Sequence, residues 1–230
     1  MIELKDGAFI LSKVTITESG KKTELKRNQI KIYHQGKYMF AFDNETTGNI
    51  DVAAGNARWI NSVLVEEPLF NHDGELCNQT FEINIQPTEA GFNQVLQDMK
   101  YDNGRVLETM VEEWNRAPGN ASEFDGLWTI KINSGDHAKR TDLCEIKMIG
   151  GGYYILLQTG NLNNEKIRNF GFGKFDVLEN GRIRESGMVG SWPSYSDWSS
   201  EAIVKKIDQN LMTQSVSSYD KRVAKTFVRL

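Results

Sequence analysis

The segment Ser191-Trp192-Pro193-Ser194-Tyr195-Ser196-Asp197-Trp198-Ser199-Ser200 sets three aromatic rings in ten otherwise small or polar residues, with no strand alternation. Rings carried on a loop offer rigid contact area at low entropic cost, so Trp192, Tyr195 and Trp198 are candidate ligand contacts. The competing reading is that they fold back and plug the open end of the core. Other suggestive spacings do not support chemistry. Gly150-Gly151-Gly152 runs into Tyr153-Tyr154-Ile155-Leu156, a strand, whereas a phosphate cradle needs a helix N-terminus directly after it. Gly171-Phe172-Gly173 lacks the third glycine of a dinucleotide fingerprint. His34, His72 and His137 form neither His-x-His nor His-Glu-x-x-His, so they give a zinc site no support and are expected near surface turns. No Gly-x-Ser-x-Gly elbow exists. The adjacent acids Glu66-Glu67 and Glu112-Glu113 point to opposite faces of a strand, so neither pair can flank one glycosidic bond; they read as solvated strand residues. Cys77 and Cys144 form no Cys-x-x-Cys and read as two unreactive thiols, with a long-range disulfide left open for an exported chain. The expectation is no catalytic constellation, no metal and no cofactor.

The elements that would position such residues follow from composition and periodicity. The chain has 230 residues, a formal net charge of −4, 39% hydrophobic and 25% charged residues, which excludes a collagen, a disordered tail and a disulfide miniprotein. The acidic balance argues against a nucleic-acid binder, which needs a basic face. The densest basic run, Lys21-Lys22 to Lys26-Arg27, is broken by Glu24 and reads as a solvated strand end. No apolar stretch approaches the ~20 residues of a membrane helix. The first residues, Met1 to Asp6, carry no basic region, apolar core or cleavage site. A cytoplasmic chain and an exported one whose leader was removed remain open, with a periplasmic or cell-surface location preferred.

Shifted by 116 positions, Ile30-Lys31-Ile32-Tyr33-His34-Gln35-Gly36-Lys37-Tyr38-Met39-Phe40 falls on Ile146-Lys147-Met148-Ile149-Gly150-Gly151-Gly152-Tyr153-Tyr154-Ile155-Leu156. Gly55-Asn56-Ala57-Arg58-Trp59 falls on Gly171-Phe172-Gly173-Lys174-Phe175. With small gaps, Gly7-Ala8-Phe9 matches Gly126-Leu127-Trp128, and the strand ending at Arg116 matches the one ending at Arg229. Repeats in one order define two halves, 1–117 and 122–230, joined by the turn-rich segment 117–122. Within each half the period is two: Tyr38, Phe40 and Phe42 share a face, and Thr80 to Ile85 alternates. Asp102-Asn103-Gly104, Glu179-Asn180-Gly181 and Asn71 to Gly74 are hairpin signals. Thr88–Met99 and Ser200–Lys206 admit a helical turn and are read mainly as strands. Eight or nine short strands per half predict an all-β chain of two tandem antiparallel barrels.

Phe124-Asp125-Gly126-Leu127-Trp128, with Phe227-Val228-Arg229 at the end of the last strand, resembles the lipocalin (calycin) signature. The resemblance implies that Arg229 covers the Trp128 ring and closes one barrel end, with Arg116 and Phe9 as partners in the first half. More narrowly, the chain resembles lipocalin-like proteins of Bacteroidetes-type bacteria without assigned function. A tandem pair departs from the usual single barrel, so one barrel is allowed to be a scaffold.

The resemblance implies a non-enzymatic binding protein that holds a small apolar or amphipathic molecule. Alternation assigns Tyr38, Phe40 and Trp59 in the first barrel, and Tyr154, Leu156 and Phe175 in the second, to inward faces; with Trp192, Tyr195 and Trp198 they are the candidate ligand-binding residues. Arg58 and Lys174 point the other way, to solvent. Pro68 to Gly74, the first-half counterpart of the aromatic loop, is less aromatic, which favours the second barrel as the site. The alternative is an interaction module with filled barrels that contacts a protein or glycan through its loops. An enzyme working in a barrel cavity is the third reading.

Overall fold

The computed structural model of the chain describes residues 5–44, 49–61, 63–72, 74–75, 80–100, 106–135, 143–162, 165–192, 194–218 and 221–230. It divides into two compact units, Met1–Ala117 and Pro118–Leu230. The short alternating segments, separated by glycine- and asparagine-rich turns, all become strands, and every pairing between them is antiparallel.

The first unit contains β1 (Gly7–Glu18), β2 (Lys21–Leu25), β3 (Asn28–His34), β4 (Lys37–Asn44), β5 (Asn49–Ile60), β6 (Val63–Asn71), β7 (Gly74–Glu75), β8 (Phe81–Pro87), β9 (Gly91–Lys100) and β10 (Val106–Arg116). Eight of these close a barrel in the order β1-β3-β4-β5-β6-β8-β9-β10, with β10 returning to β1. β2 lies on the later half of β1, and β7 on the end of β6. The second unit is a closed barrel of β11 (Gly126–Gly135), β12 (Cys144–Gly150), β13 (Tyr153–Leu162), β14 (Glu165–Val177), β15 (Arg182–Gly190), β16 (Ser199–Asp208), β17 (Leu211–Ser218) and β18 (Lys221–Arg229). The segments that admitted a helical turn are strands β9 and β16. The turn over 102–104, residue 73 of the turn between β6 and β7, His137 and Cys77 lie outside the described residues. Cys144 is exposed at the start of β12.

Matching hairpins join β3 to β4 and β12 to β13. Their central pairs, Gln35-Gly36 and Gly151-Gly152, all have positive φ, between 47° and 79°. This is the geometry that continues the strand twist through a two-residue turn.

One end of each barrel is sealed. The Arg229 guanidinium lies 4.7 Å from the Trp128 ring centre and donates to the Asp125 carbonyl at 3.0 Å. The Trp128 indole N–H donates to the Phe124 carbonyl at 2.9 Å. The Asp125 carboxylate accepts from the Ser122 hydroxyl at 2.7 Å and the Gly151 N–H at 3.2 Å, tying the incoming chain to the β12–β13 hairpin. The first barrel repeats the device. Arg116 lies 4.9 Å from the Phe9 ring and donates to the carbonyls of Asp6 and Lys5, while the Asp6 carboxylate accepts the Gln35 N–H at 3.1 Å. A guanidinium over an aromatic face contributes about 0.5–2 kcal/mol, more for indole than for a phenyl ring.

Candidate functional site

Next to each sealed end is an aromatic and aliphatic core. Phe9, Tyr33, Tyr38, Phe92 and Trp114 anchor it in the first barrel, and Phe124, Trp128, Phe175, Met212 and Phe227 in the second. The ladder then carries polar side chains inward. Lys31 on β3 is paired with Phe40 on β4, and Lys147 on β12 with Leu156 on β13, so each lysine shares the inward face of its partner. Lys31 Nζ donates to Glu66 at 3.1 Å and Gln94 at 2.9 Å. Lys147 Nζ donates to Glu185 at 2.8 Å and Gln214 at 3.1 Å. All six residues are buried. They come from corresponding strands of the two barrels, so the same Lys–Glu–Gln layer occurs twice. Each ammonium also lies over aromatic rings: Tyr33, Phe40 and Trp114 around Lys31, Tyr154 and Phe227 around Lys147. Burying an ion pair costs several kcal/mol per charge unless hydrogen bonds complete it, and the glutamine carbonyl supplies a further acceptor to the ammonium. In the first barrel Tyr33 also donates to Glu66 at 2.5 Å. Burial raises the Tyr33 hydroxyl far above its ordinary value, and the Glu66 carboxylate adds to that.

One step further from the sealed end the barrels diverge. In the second, Glu145 is fully buried and its Oε2 accepts from Lys225 at 2.5 Å and Gln158 at 2.7 Å. Burial pushes the Glu145 carboxyl up, but Lys225 and Lys147 outweigh it and hold the group below its usual range. Its Oε1 has no partner among the described residues. In the first barrel the position of Glu145 belongs to Gln29, whose Oε1 is also buried and unpartnered among the described residues. The position of Lys225 belongs to Glu112. That carboxyl accepts from the Trp114 indole N–H at 3.3 Å, and burial raises it above its ordinary value.

Exposure rises toward the other end. Trp128, Ile183 and Phe227 are wholly buried, whereas the inward-facing Ile130, Leu156, Val216 and Trp192 are only partly so. In the first barrel Leu25, Phe40 and Leu96, away from the seal, are likewise only partly buried. Each barrel is therefore sealed at one end, and described inward side chains toward the other, the accessible end, are less completely buried.

The aromatic loop lies at the accessible end of the second barrel. Its Tyr195 is buried, and Trp192 and Trp198 stack on it with ring centres 5.2 Å and 5.4 Å away. The cleft that admits Tyr195 is made by missing side chains. A Cβ at Gly171 or Gly190 would stand 2.5 Å from a Tyr195 ring atom. At the bottom the Tyr195 and Tyr154 hydroxyls meet at 2.5 Å, and burial raises both well above the ordinary tyrosine range.

The candidate residues separate accordingly. Tyr38, Tyr154, Phe175 and Tyr195 are core residues; Phe40, Trp59, Leu156 and Trp192 are partly buried and pack against that core; Trp198 is 39% exposed. Trp59 and Phe175 lie toward the sealed ends, Phe40, Leu156 and Trp192 toward the accessible ones. Arg58 and Lys174 are exposed. Two expectations need correction. Glu66 and Glu112 are buried inside the barrel rather than solvated, although Glu67 and Glu113 do point the other way. Arg27 is not a solvated strand end: its side chain is 17% exposed and reaches Glu112. The inward polar residues were missed altogether. The one sequence signal for them was the coincidence of Lys31 with Lys147 in the repeat.

No family model matches the chain, and no curated protein does. Two closed eight-stranded antiparallel barrels in tandem fit a calycin-like fold. Among solved structures the chain is similar to kievitone hydratase from Nectria haematococca, at 11% identity and a TM-score of 0.22, over 97% of this chain and 89% of that one. A likeness at that score carries no argument about activity.

Proposed function

We propose that the chain is a lipocalin-like, non-enzymatic binding protein that holds a small amphipathic molecule in the accessible half of the second barrel. The supporting observation is the exposure gradient along that barrel's inward face. Apolar Ile130, Leu156, Val216 and Trp192 are partly open beside Lys225, itself partly exposed, and the buried Glu145 below it. A wholly apolar ligand would strand those charges against hydrocarbon, so a ligand with both an apolar body and a polar group fits better. Trp192, held by Tyr195, forms one wall of the mouth.

Native mass spectrometry of the full chain beside a denatured control tests this. The expected result is a retained small-molecule mass that denaturation releases. Leu156→Trp, which fills the accessible half of the second barrel, removes one retained molecule per chain while circular dichroism stays unchanged. A chain that retains nothing, and takes up none of decanoate, decan-1-ol or decylamine, overturns the reading.

The exposed outer face of Trp198, beside the exposed Asp197 and Ser199, supports a second reading, contact with a protein or glycan through the loop. Trp198→Ala then loses partner capture but keeps the small-molecule adduct.

A further inference from the structure

The accessible half of the first barrel carries a cation that no described residue binds closely. Arg27 Nη1 is 3.9 Å from Glu112 Oε1, too far for a hydrogen bond, and its guanidinium lies 4.9 Å from the Phe42 ring. Among the described residues it makes no hydrogen bond, although its side chain is only 17% exposed. Five N–H donors are thus carried at the mouth without a hydrogen-bond acceptor among the described residues. Phe42 under the guanidinium stacks on Phe40 and is paired across the ladder with Gln29, whose Oε1 is unpartnered, and Leu25 is another partly buried apolar residue of this barrel.

The ion pairs point the same way. In the second barrel each inward cation has its own carboxylate, Lys147 with Glu185 and Lys225 with Glu145. In the first barrel Lys31 has Glu66 at 3.1 Å, but the remaining acid, Glu112, faces Arg27 only at 3.9 Å. Among the described residues Arg27 is then a positive charge with no hydrogen-bonded anion. A guanidinium presents paired N–H groups that fit the two oxygens of a carboxylate. One cation suits a monoanion; a dianionic phosphate would leave excess negative charge beside Glu112 in a poorly solvated site.

We propose that the accessible half of the first barrel is a second binding site, which takes a carboxylate-headed amphipathic molecule with its head on Arg27 and its apolar body against Phe40, Phe42 and Leu25. The two barrels then differ in ligand charge: the first selects an anionic head, the second has its charges already paired.

Titration of the full chain with decanoate, decan-1-ol and decyl phosphate, followed by isothermal calorimetry, tests this. Decanoate is expected to bind at least tenfold more tightly than decan-1-ol. Arg27→Gln removes that preference and leaves decan-1-ol binding unchanged. Gln29→Glu, which installs the acid found at the matching place in the second barrel, weakens decanoate selectively. Arg58→Gln, which removes a guanidinium on the outer face of the same barrel, leaves decanoate binding as it was. Equal affinity for acid and alcohol, decanoate affinity that survives Arg27→Gln in a folded variant, or a preference for decyl phosphate would each overturn the proposal. If Arg27→Gln fails to fold, the Gln29→Glu titration decides alone.

Discussion

The two barrels agree where they are sealed and differ where they are open. Both sealed ends use an aspartate just before the first strand that accepts from the neighbouring hairpin, an aromatic ring on the first strand and an arginine from the last. Both place a Lys–Glu–Gln layer above that seal. Beyond the layer, Gln29, Phe42 and Glu112 in the first barrel stand where Glu145, Gln158 and Lys225 stand in the second. The sealed half has to satisfy packing and hydrogen bonding, which admit few solutions in a narrow barrel. The open half is free to diverge, and there the two halves of the chain set different charges and a different loop. The difference locates specificity at the mouths.

The largest effect should come from breaking what the barrels share. Lys147→Met leaves Glu185 buried without its cation and should cost about 3–5 kcal/mol; Lys31→Met should cost as much in the first barrel. Denaturant unfolding of the full chain followed by circular dichroism reads both. Replacing Lys147, Glu185 and Gln214 together by Met, Leu and Leu should recover most of that loss, because no charge is then stranded. A cheap single substitution would show that the layer is not held as an ion pair.

Next in size is the loop, a feature described only for the second barrel. Tyr195→Ala empties the glycine cleft between two tryptophans and should cost about 3 kcal/mol and weaken the near-ultraviolet circular dichroism of the ordered Trp192 and Trp198 rings. Tyr195→Phe removes only the bond to Tyr154 and should cost about 1 kcal/mol. If Tyr195→Ala is neutral, the loop is not seated by that ring, and the mouth of the second barrel is as open as that of the first.

The smallest effect separates the barrels by pH. Glu112 is raised above the ordinary 4.5, so its contribution to stability is fully present in acid and is lost as pH rises through its folded value. Glu145 is lowered below 4.5, so its contribution is present at neutral pH and is lost as pH falls through its folded value. Glu112→Gln should therefore gain on the wild type as pH rises above the ordinary 4.5, and Glu145→Gln should lose its disadvantage as pH falls below 4.5. Unfolding free energies of the three proteins across about pH 3–8 check this; parallel profiles for the two variants would erase the distinction.

Much of the framework was legible in the chain. The 116-residue shift marked two like halves, Gln35-Gly36 and Gly151-Gly152 marked matching hairpins, and Phe9, Trp128, Arg116 and Arg229 marked the ends. These are local signals: a turn needs particular φ values, and a strand needs period two. The interior was not legible for an equally specific reason. In Ile30-Lys31-Ile32 the alternation makes the lysine look solvated, as it does for Glu66 and Glu112 beside their acidic neighbours. Parity sorts residues into two faces without saying which face looks at the axis.

The sequence by itself determined the strands, their turns and their duplication, because backbone preferences and side-chain alternation act over a few residues. Only the closed ladders decided that Lys31 and Lys147 look inward with Phe40 and Leu156, that Tyr195 fills a cleft between β14 and β15, and that Arg27 meets Glu112 from a distant strand. Those contacts join residues far apart in the chain. Their energies depend on burial and on the charges facing them across the barrel, quantities that exist only once the sheet has closed.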